Sequence, residues 1–207
     1  MKNKYSYIGI SFVILIFGIW AVPKVIDRLS KPDLTVIGEV PEFSFTDQNG
    51  KNITNEDYAG KVYVAEFFFT TCPSICPIMN RNMVKIQDEF LGNPKVGIAS
   101  FTIDPEHDTA EVLKEYAKSY GMTSPNWHLM TGDKEKIYAL ANKGFNLYVA
   151  EAPNVEGGFE HSGFFALIDQ EGKIRSRIDE NGNPLVYYNG LEAEGVQMLK
   201  EDIKNLL

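Results

Sequence analysis

The chemistry this sequence offers begins with two thiols. Cys72 and Cys76, in the stretch FFFTTCPSICPIM from Phe67 to Met79, are the only cysteines in 207 residues. The thiolate, rather than the thiol, binds soft metal ions and attacks disulfides. Each cysteine precedes a proline, Pro73 or Pro77; a residue before proline is driven out of the α region, whereas proline itself is tolerated at the first helical position. With a helix starting at Pro77, Cys76 stands at its mouth and Cys72 in the loop above. Both then face the positive end of the helix dipole, which favours thiolate. A helical i, i+4 pair keeps its Cβ atoms about 5 to 6 Å apart, too far for a relaxed disulfide, whereas a loop closes to about 4 Å. The turn is thus able either to oxidise or to clamp a metal. A merely structural disulfide is disfavoured, because closing a loop of three intervening residues removes little chain entropy.

The flanking sequence supplies elements that position this turn. Val62 to Phe69 is nearly continuous apolar, the pattern of a buried central strand, and Ile78, Met79, Met83, Ile86 and Phe90 follow with helical spacing. Asn49-Gly50 marks a hairpin turn between Phe43–Phe45 and Asn52–Thr54. Val96 to Ile103 reads as a second buried strand. Asp108 and Thr109 open a helix with Glu111 in capping-box register and Gly121 as its stop. A short strand at Trp127 to Met130, a helix from Asp133 to Lys143 and a strand at Asn146 to Val149 come next. After a glycine loop from Pro153 to Phe159, Phe164 to Ile168 and Ile174 to Ile178 form a hairpin, and Val196, Leu199, Ile203 and Leu206 mark a final helix. This β-α-β-α order ending in ββα is that of a thioredoxin-like α/β fold, a central mixed sheet flanked by helices.

In that layout the loop before the last hairpin reaches over the cysteine turn, and it carries His161. Two sulfurs and one imidazole nitrogen form a set soft enough to favour copper and also compatible with zinc. Other donors have simpler roles: Met79 and Met83 match the buried stripe of the cysteine helix, His107 is a solvated residue near a helix start, and His128 alternates outward from a short strand. Phe67, Phe68 and Phe69 are core residues whose bulk also shields the turn.

The N-terminus is of another kind. Met1 to Lys4 forms a short cytoplasmic tail, and residues 5–22, YSYIGISFVILIFGIWAV, carry no charge. Eighteen helical residues span about 27 Å, near the hydrocarbon thickness, and Tyr5, Tyr7 and Trp20 suit the interfaces. This is the pattern of an uncleaved anchor, with no small-x-small cleavage site and no following cysteine for a lipid. Residues 23–38 read as a linker and 39–207 as the folded domain. Lys24, Arg28 and Lys31 nearly balance the N-terminal charges, so orientation rests on the short tail, which places the domain on the periplasmic or extracytoplasmic face of the cell membrane, where thiols can be oxidised. A net charge of −8 with no basic stripe excludes a nucleic-acid surface.

Three stretches carry a family resemblance: DYAGKVYVAEFFFTTCPSICP from Asp57 to Pro77, FTIDPEHDT from Phe101 to Thr109, and HSGFFALIDQEGKIR from His161 to Arg175. In this order across residues 40–207 the chain resembles the Sco/SenC family, membrane-anchored copper proteins that assist assembly of the copper A site of cytochrome c oxidase. The resemblance implies one copper ion per domain, Cu(I) or Cu(II), held by Cys72, Cys76 and His161, and marks Asp104 as close to the site. It also implies an oxidase copper-site subunit as acceptor, with a copper donor or a thiol reductant protein as further partners. The rival expectation is a thiol-disulfide oxidoreductase using Cys72 and Cys76 as a redox-active disulfide without metal delivery. The pair has three intervening residues where thioredoxin motifs have two, and His161 stands where such oxidoreductases carry a proline. A metallochaperone rather than an enzyme is the expectation.

Overall fold

The computed structural model describes residues 6–29, 33–152, 154, 157–179 and 181–207. Its first unit ends at Asp33 and contains helix α1, Ser6–Leu29. The side chains described in α1 run from residue 9 to residue 22, about 21 Å of helix. Among the described residues no helix is long and apolar enough to cross a membrane. The expected tail, 1–4, with Tyr5, lies outside the described residues, as do the side chains of Tyr7, Lys24 and Arg28.

The second unit, Leu34–Leu207, is an α/β domain. Its elements are β1 Leu34–Glu39, β2 Ser44–Asp47, β3 Asn52–Thr54, β4 Val62–Phe68, α2 Cys76–Phe90, β5 Val96–Thr102, α3 Ala110–Tyr120, β6 Trp127–Thr131, α4 Lys134–Ala139, β7 Val149–Glu151, β8 Phe159–His161, β9 Phe164–Ile168, β10 Lys173–Arg177, β11 Tyr188–Asn189 and α5 Ala193–Leu206. One mixed sheet runs β1-β10-β9-β4-β5-β6-β2-β3, with β11 added to β9, while β7 and β8 form a separate two-stranded ribbon. Strands β4, β5 and β6 are parallel neighbours at its centre, and every residue of β4 and β5 is buried. Helices cover such strands on both faces, which is why the two runs are nearly continuous apolar, Glu66, Ser100 and Thr102 excepted.

The pleat of β4 sorts its aromatics. Phe67 stacks on Phe101 and meets Phe145 edge-on, whereas Phe68, on the opposite face, stacks on Tyr116 of α3. Polar ties bind α2 to both neighbours: Asn80 donates to the Tyr116 hydroxyl of α3, and Glu89 receives Lys200 and Lys204 of α5.

Several boundaries differ from expectation. The linker read over 23–38 includes residues 34–38 of β1, which pairs antiparallel with β10 from Leu34↔Arg177 to Glu39↔Lys173; the charged residues before it, through Asp33, disguise a short edge strand, uncharged over 34–38, of which only Leu34 is buried. Asp108 does not cap α3. Thr109 is the cap, its hydroxyl accepting from Val112 N, and Asp108 turns inward instead. The expected helix from Asp133 to Lys143 is α for six residues and finishes as a π turn, Leu140–Gly144. The expected strand Asn146–Val149 begins at Val149, because Asn146 sits at φ 50°.

Candidate metal centre

The cysteine turn lies where β4 ends and α2 begins. Helix α2 starts one residue earlier than the proline pattern suggests, at Cys76, with Pro77 in its first turn and the Ile75 carbonyl accepting from Ile78 N and Met79 N. Cys76 is fully buried and Cys72 nearly so, and both are free thiols. Met79 and Met83 are wholly buried core residues, as their spacing indicates.

His161 closes the site from the other side, at the end of β8 rather than in an open loop, paired with Val149 of β7. Of the expected glycine loop, Pro153, Val155 and Glu156 lie outside the described residues. Gly157 brings that loop against the turn: at φ 93°, a Cβ there would stand 3.0 Å from Pro73 and 3.1 Å from Phe69. Phe69, at the exit of β4, meets His161 edge-on at 5.5 Å and packs on Phe159 at 5.1 Å, forming an apolar floor.

The donor geometry is compact. His161 Nε2 lies 3.2 Å from Cys76 Sγ and 3.8 Å from Cys72 Sγ, and the three donor atoms all lie within 4.8 Å of one another. Nδ1 of the same ring faces the Ser162 carbonyl at 3.3 Å. With the proton on Nε2 the ring donates to the Cys72 sulfur; with the proton on Nδ1, donated to Ser162, the Nε2 lone pair faces the sulfurs as metal binding requires. A metal ion sits about 2.3 Å from sulfur and about 2.0 Å from nitrogen, so two donors on one ion stand at most about 4.5 Å apart. The Cys–His separations fit that limit.

Protons are divided unequally between the thiols. The Cys72 thiol is brought down to about 3, chiefly by a hydrogen bond from the Cys76 thiol and then by His161 and the backbone N–H groups of Cys76 and Ser74, against the opposing effect of burial. Cys76 is pushed up, because it donates that bond, is buried and faces the charge forming on Cys72. The pair therefore releases one proton readily and retains the second, as coupled groups do. A bound cation supplies the charge that makes the second thiolate favourable.

A cleft of about 360 Å³ opens onto the site between Cys72, Ile75, Tyr148, Phe159 and His161. Asp104 stands apart from the three-donor cluster. It stands two residues beyond the end of β5, its backbone carbonyl accepts from His107 N and Asp108 N, and its carboxyl is raised by burial and by Asp108. His107 is half-exposed with Nδ1 2.9 Å from Asp108, in keeping with a solvated position near a helix start. His128 differs from its expected outward placement, pairing with buried Asp47 at 2.9 Å.

Buried Glu66 and Asp108 take roles that the sequence does not announce. Glu66, inside β4, has one carboxyl oxygen bonded by Ser100 and the other with no partner among the described residues. Asp108 ties β5 to the cysteine turn through Thr102 and Thr70. Each looks like an ordinary surface acid in sequence; the nearest signal for Glu66 was a charge within an apolar run.

Residues 36–194 match the protein-family model described as SCO1/SenC. The chain belongs to the SCO1/SenC family. The SCO1 protein homolog of Bacillus subtilis is 34% identical over 169 residues, covering 81% of this chain and 82% of that protein. Among solved structures of Sco proteins, that of BsSco, in which a disulfide switch was identified and which belongs to the Sco family of cytochrome c oxidase assembly proteins, is 32% identical with a TM-score of 0.69, over 83% of this chain and 95% of that one. Copper-bound yeast Sco1 is 26% identical with a TM-score of 0.62, over 82% and 91%.

Proposed function

We propose that this Sco protein binds one copper ion through Cys72, Cys76 and His161 and delivers it during assembly of the copper A site of cytochrome c oxidase. The observation that carries the reading is the convergence of two thiol sulfurs and one correctly oriented imidazole nitrogen within 4.8 Å. Two or three soft donors satisfy Cu(I), whereas Cu(II) takes a fourth, from water or the partner. The metal is cargo here. The cleft beside Cys72 leaves a side from which an acceptor's thiolate can bind before a Cys72 or Cys76 sulfur leaves, so transfer needs no free ion. Copper-bound yeast Sco1 and the assembly role of BsSco's family support this assignment.

A second reading draws on the lowered Cys72 thiol. A thiolate at neutral pH attacks a partner disulfide, and Cys76 then displaces the partner's thiolate, leaving a Cys72–Cys76 disulfide and a reduced partner. The same pair thus serves delivery and thiol reduction, with oxidation releasing the metal.

We also assign residues 5–22 as a membrane anchor that holds the domain at the outer face of the cell membrane. In its support, Phe12, Val13, Ile14, Phe17 and Ile19 project from α1 with more than half their surface exposed. Deleting residues 5–22 should move the chain from the membrane pellet to the supernatant; retention in the pellet would remove the anchor.

The decisive experiment titrates the reduced full chain anaerobically with Cu(I) and with Zn(II) against a competing chelator. One tightly held Cu(I), lost on thiol oxidation, is expected. Cys72→Ser or Cys76→Ser should abolish tight binding, and His161→Ala should weaken it at least about tenfold while leaving the fold intact. Full copper occupancy in either serine variant would refute the two-thiolate site.

A further inference from the structure

Asp108 lies wholly buried behind the start of the cysteine turn. Its Oδ2 accepts from Thr70 N at 3.0 Å and from the Thr102 hydroxyl at 2.5 Å. Its Oδ1 accepts from the Thr70 hydroxyl and faces Nδ1 of His107 at 2.9 Å. A carboxylate offers about four acceptor sites, and all four are engaged here. The donors come from three places in the chain: the turn itself, the end of β5 and the residue before Asp108.

Thr70 is the first residue after Phe69 and stands two before Cys72. Between Thr70 and Ile75 the turn is otherwise held by Cys72 N donating to the Phe69 carbonyl at 3.3 Å, by the Ser74 hydroxyl 3.9 Å from Cys72 Sγ, by the N–H groups of Ser74 and Cys76 directed at that sulfur, and by Gly157 against Pro73. Cys76, by contrast, is fixed by α2. Thr70 is the point at which the N-terminal limb of the turn is anchored, so where it is held helps to set the position of the Cys72 sulfur over His161.

We infer that Asp108 is a positioning residue for the metal centre, clamping Thr70 so that the Cys72 thiol stays open toward His161 and Cys76. The inference rests on the copper-binding reading for one of its readouts and is independent of it for the other. Asparagine cannot replace the carboxylate, since its NH₂ would face either the Thr70 and Thr102 donors or the Thr70 hydroxyl and His107. Loosening the clamp frees Cys72 while leaving Cys76 in place. That lowers copper affinity and lets the dithiol close more readily to the disulfide.

The test compares Asp108→Asn and Thr70→Val with Asp169→Asn in the full chain in detergent. Asp169 is another buried acid, which accepts from Lys173 N and Glu171 N in the β9–β10 turn, beside the opposite end of β4. Asp108→Asn should weaken Cu(I) binding at least tenfold. It should also shift the dithiol–disulfide equilibrium toward disulfide by about tenfold, a midpoint potential about 30 mV more negative. Thr70→Val should move both readouts in the same direction by less. Asp169→Asn should lower the melting temperature and move neither.

If Asp108→Asn does not fold, Thr70→Val decides. A folded Asp108→Asn or Thr70→Val chain with wild-type copper affinity and wild-type potential overturns the clamp, as does an equal shift in Asp169→Asn. A wild-type chain that binds no copper refutes the copper reading instead. The midpoint potential then decides on the clamp alone, and an unmoved potential overturns it.

Discussion

Glu66 shows what a single buried group does to the whole domain. Burial pushes its carboxyl up to about 7, against the opposing hydrogen bond from Ser100, whose hydroxyl in turn accepts from the Trp127 indole. Its folded value lies above the 4.5 of a free glutamic acid, so between 4.5 and about 7 the folded chain keeps a proton that the unfolded chain has lost. The sign follows: Glu66 takes nothing from stability below 4.5 and progressively lowers it as pH rises through that window. The full effect is on the order of 3 kcal/mol. Glu66→Gln keeps an acceptor for Ser100 and cannot ionise, so it should flatten this part of the stability curve. Urea unfolding of both proteins on either side of the window measures the difference, and parallel curves would mean that Glu66 does not titrate there.

At the scale of elements, the site depends on two pieces of chain that meet by close approach. The cysteine turn hangs between β4 and α2, and His161 arrives on the β7–β8 ribbon outside the main sheet. Gly157 helps to set their spacing, since its left-handed backbone strains any other residue and Pro73 and Phe69 leave a Cβ only a tight fit at 3.0 and 3.1 Å. Alanine at φ 93° costs about 1 to 2 kcal/mol in backbone strain, and the added methyl pushes the ribbon away from the turn. Gly157→Ala should therefore weaken copper binding about tenfold or more while changing the melting temperature by only a few degrees. Cu(I) competition titration beside thermal unfolding separates the two effects. Unchanged affinity would show that the ribbon is placed by other contacts.

For the whole molecule, the domain is completed by a strand that sequence patterning assigns to the linker. β1 covers the edge of β10, with Arg175 donating to the Leu34 carbonyl at 2.7 Å and Lys173 to Glu39 at 2.5 Å. A chain beginning at Val40 should lose more than about 2 kcal/mol relative to one beginning at Leu34, because it gives up the buried Leu34 and the ladder. It should also self-associate through the uncovered edge. Urea unfolding and light scattering report the two outcomes, and equal stability would return residues 34–38 to the linker. The sequence by itself determined the cysteine turn and the core. A proline after each cysteine, continuous apolar strands and helical periodicity are local signals, and each physical cause lies within a few residues of its effect. The pairing of His161 with the thiols was legible only through the element order, since 85 residues separate it from Cys76. Tertiary structure alone decided the rest: that Asp108 serves the cysteine turn rather than capping α3, that Glu66 is buried with one bare oxygen, that Asp104 stands outside the donor cluster, and that β1 closes the sheet. These depend on which distant segments fill the space around a polar group, and burial and long-range pairing leave no periodic trace in the residues themselves.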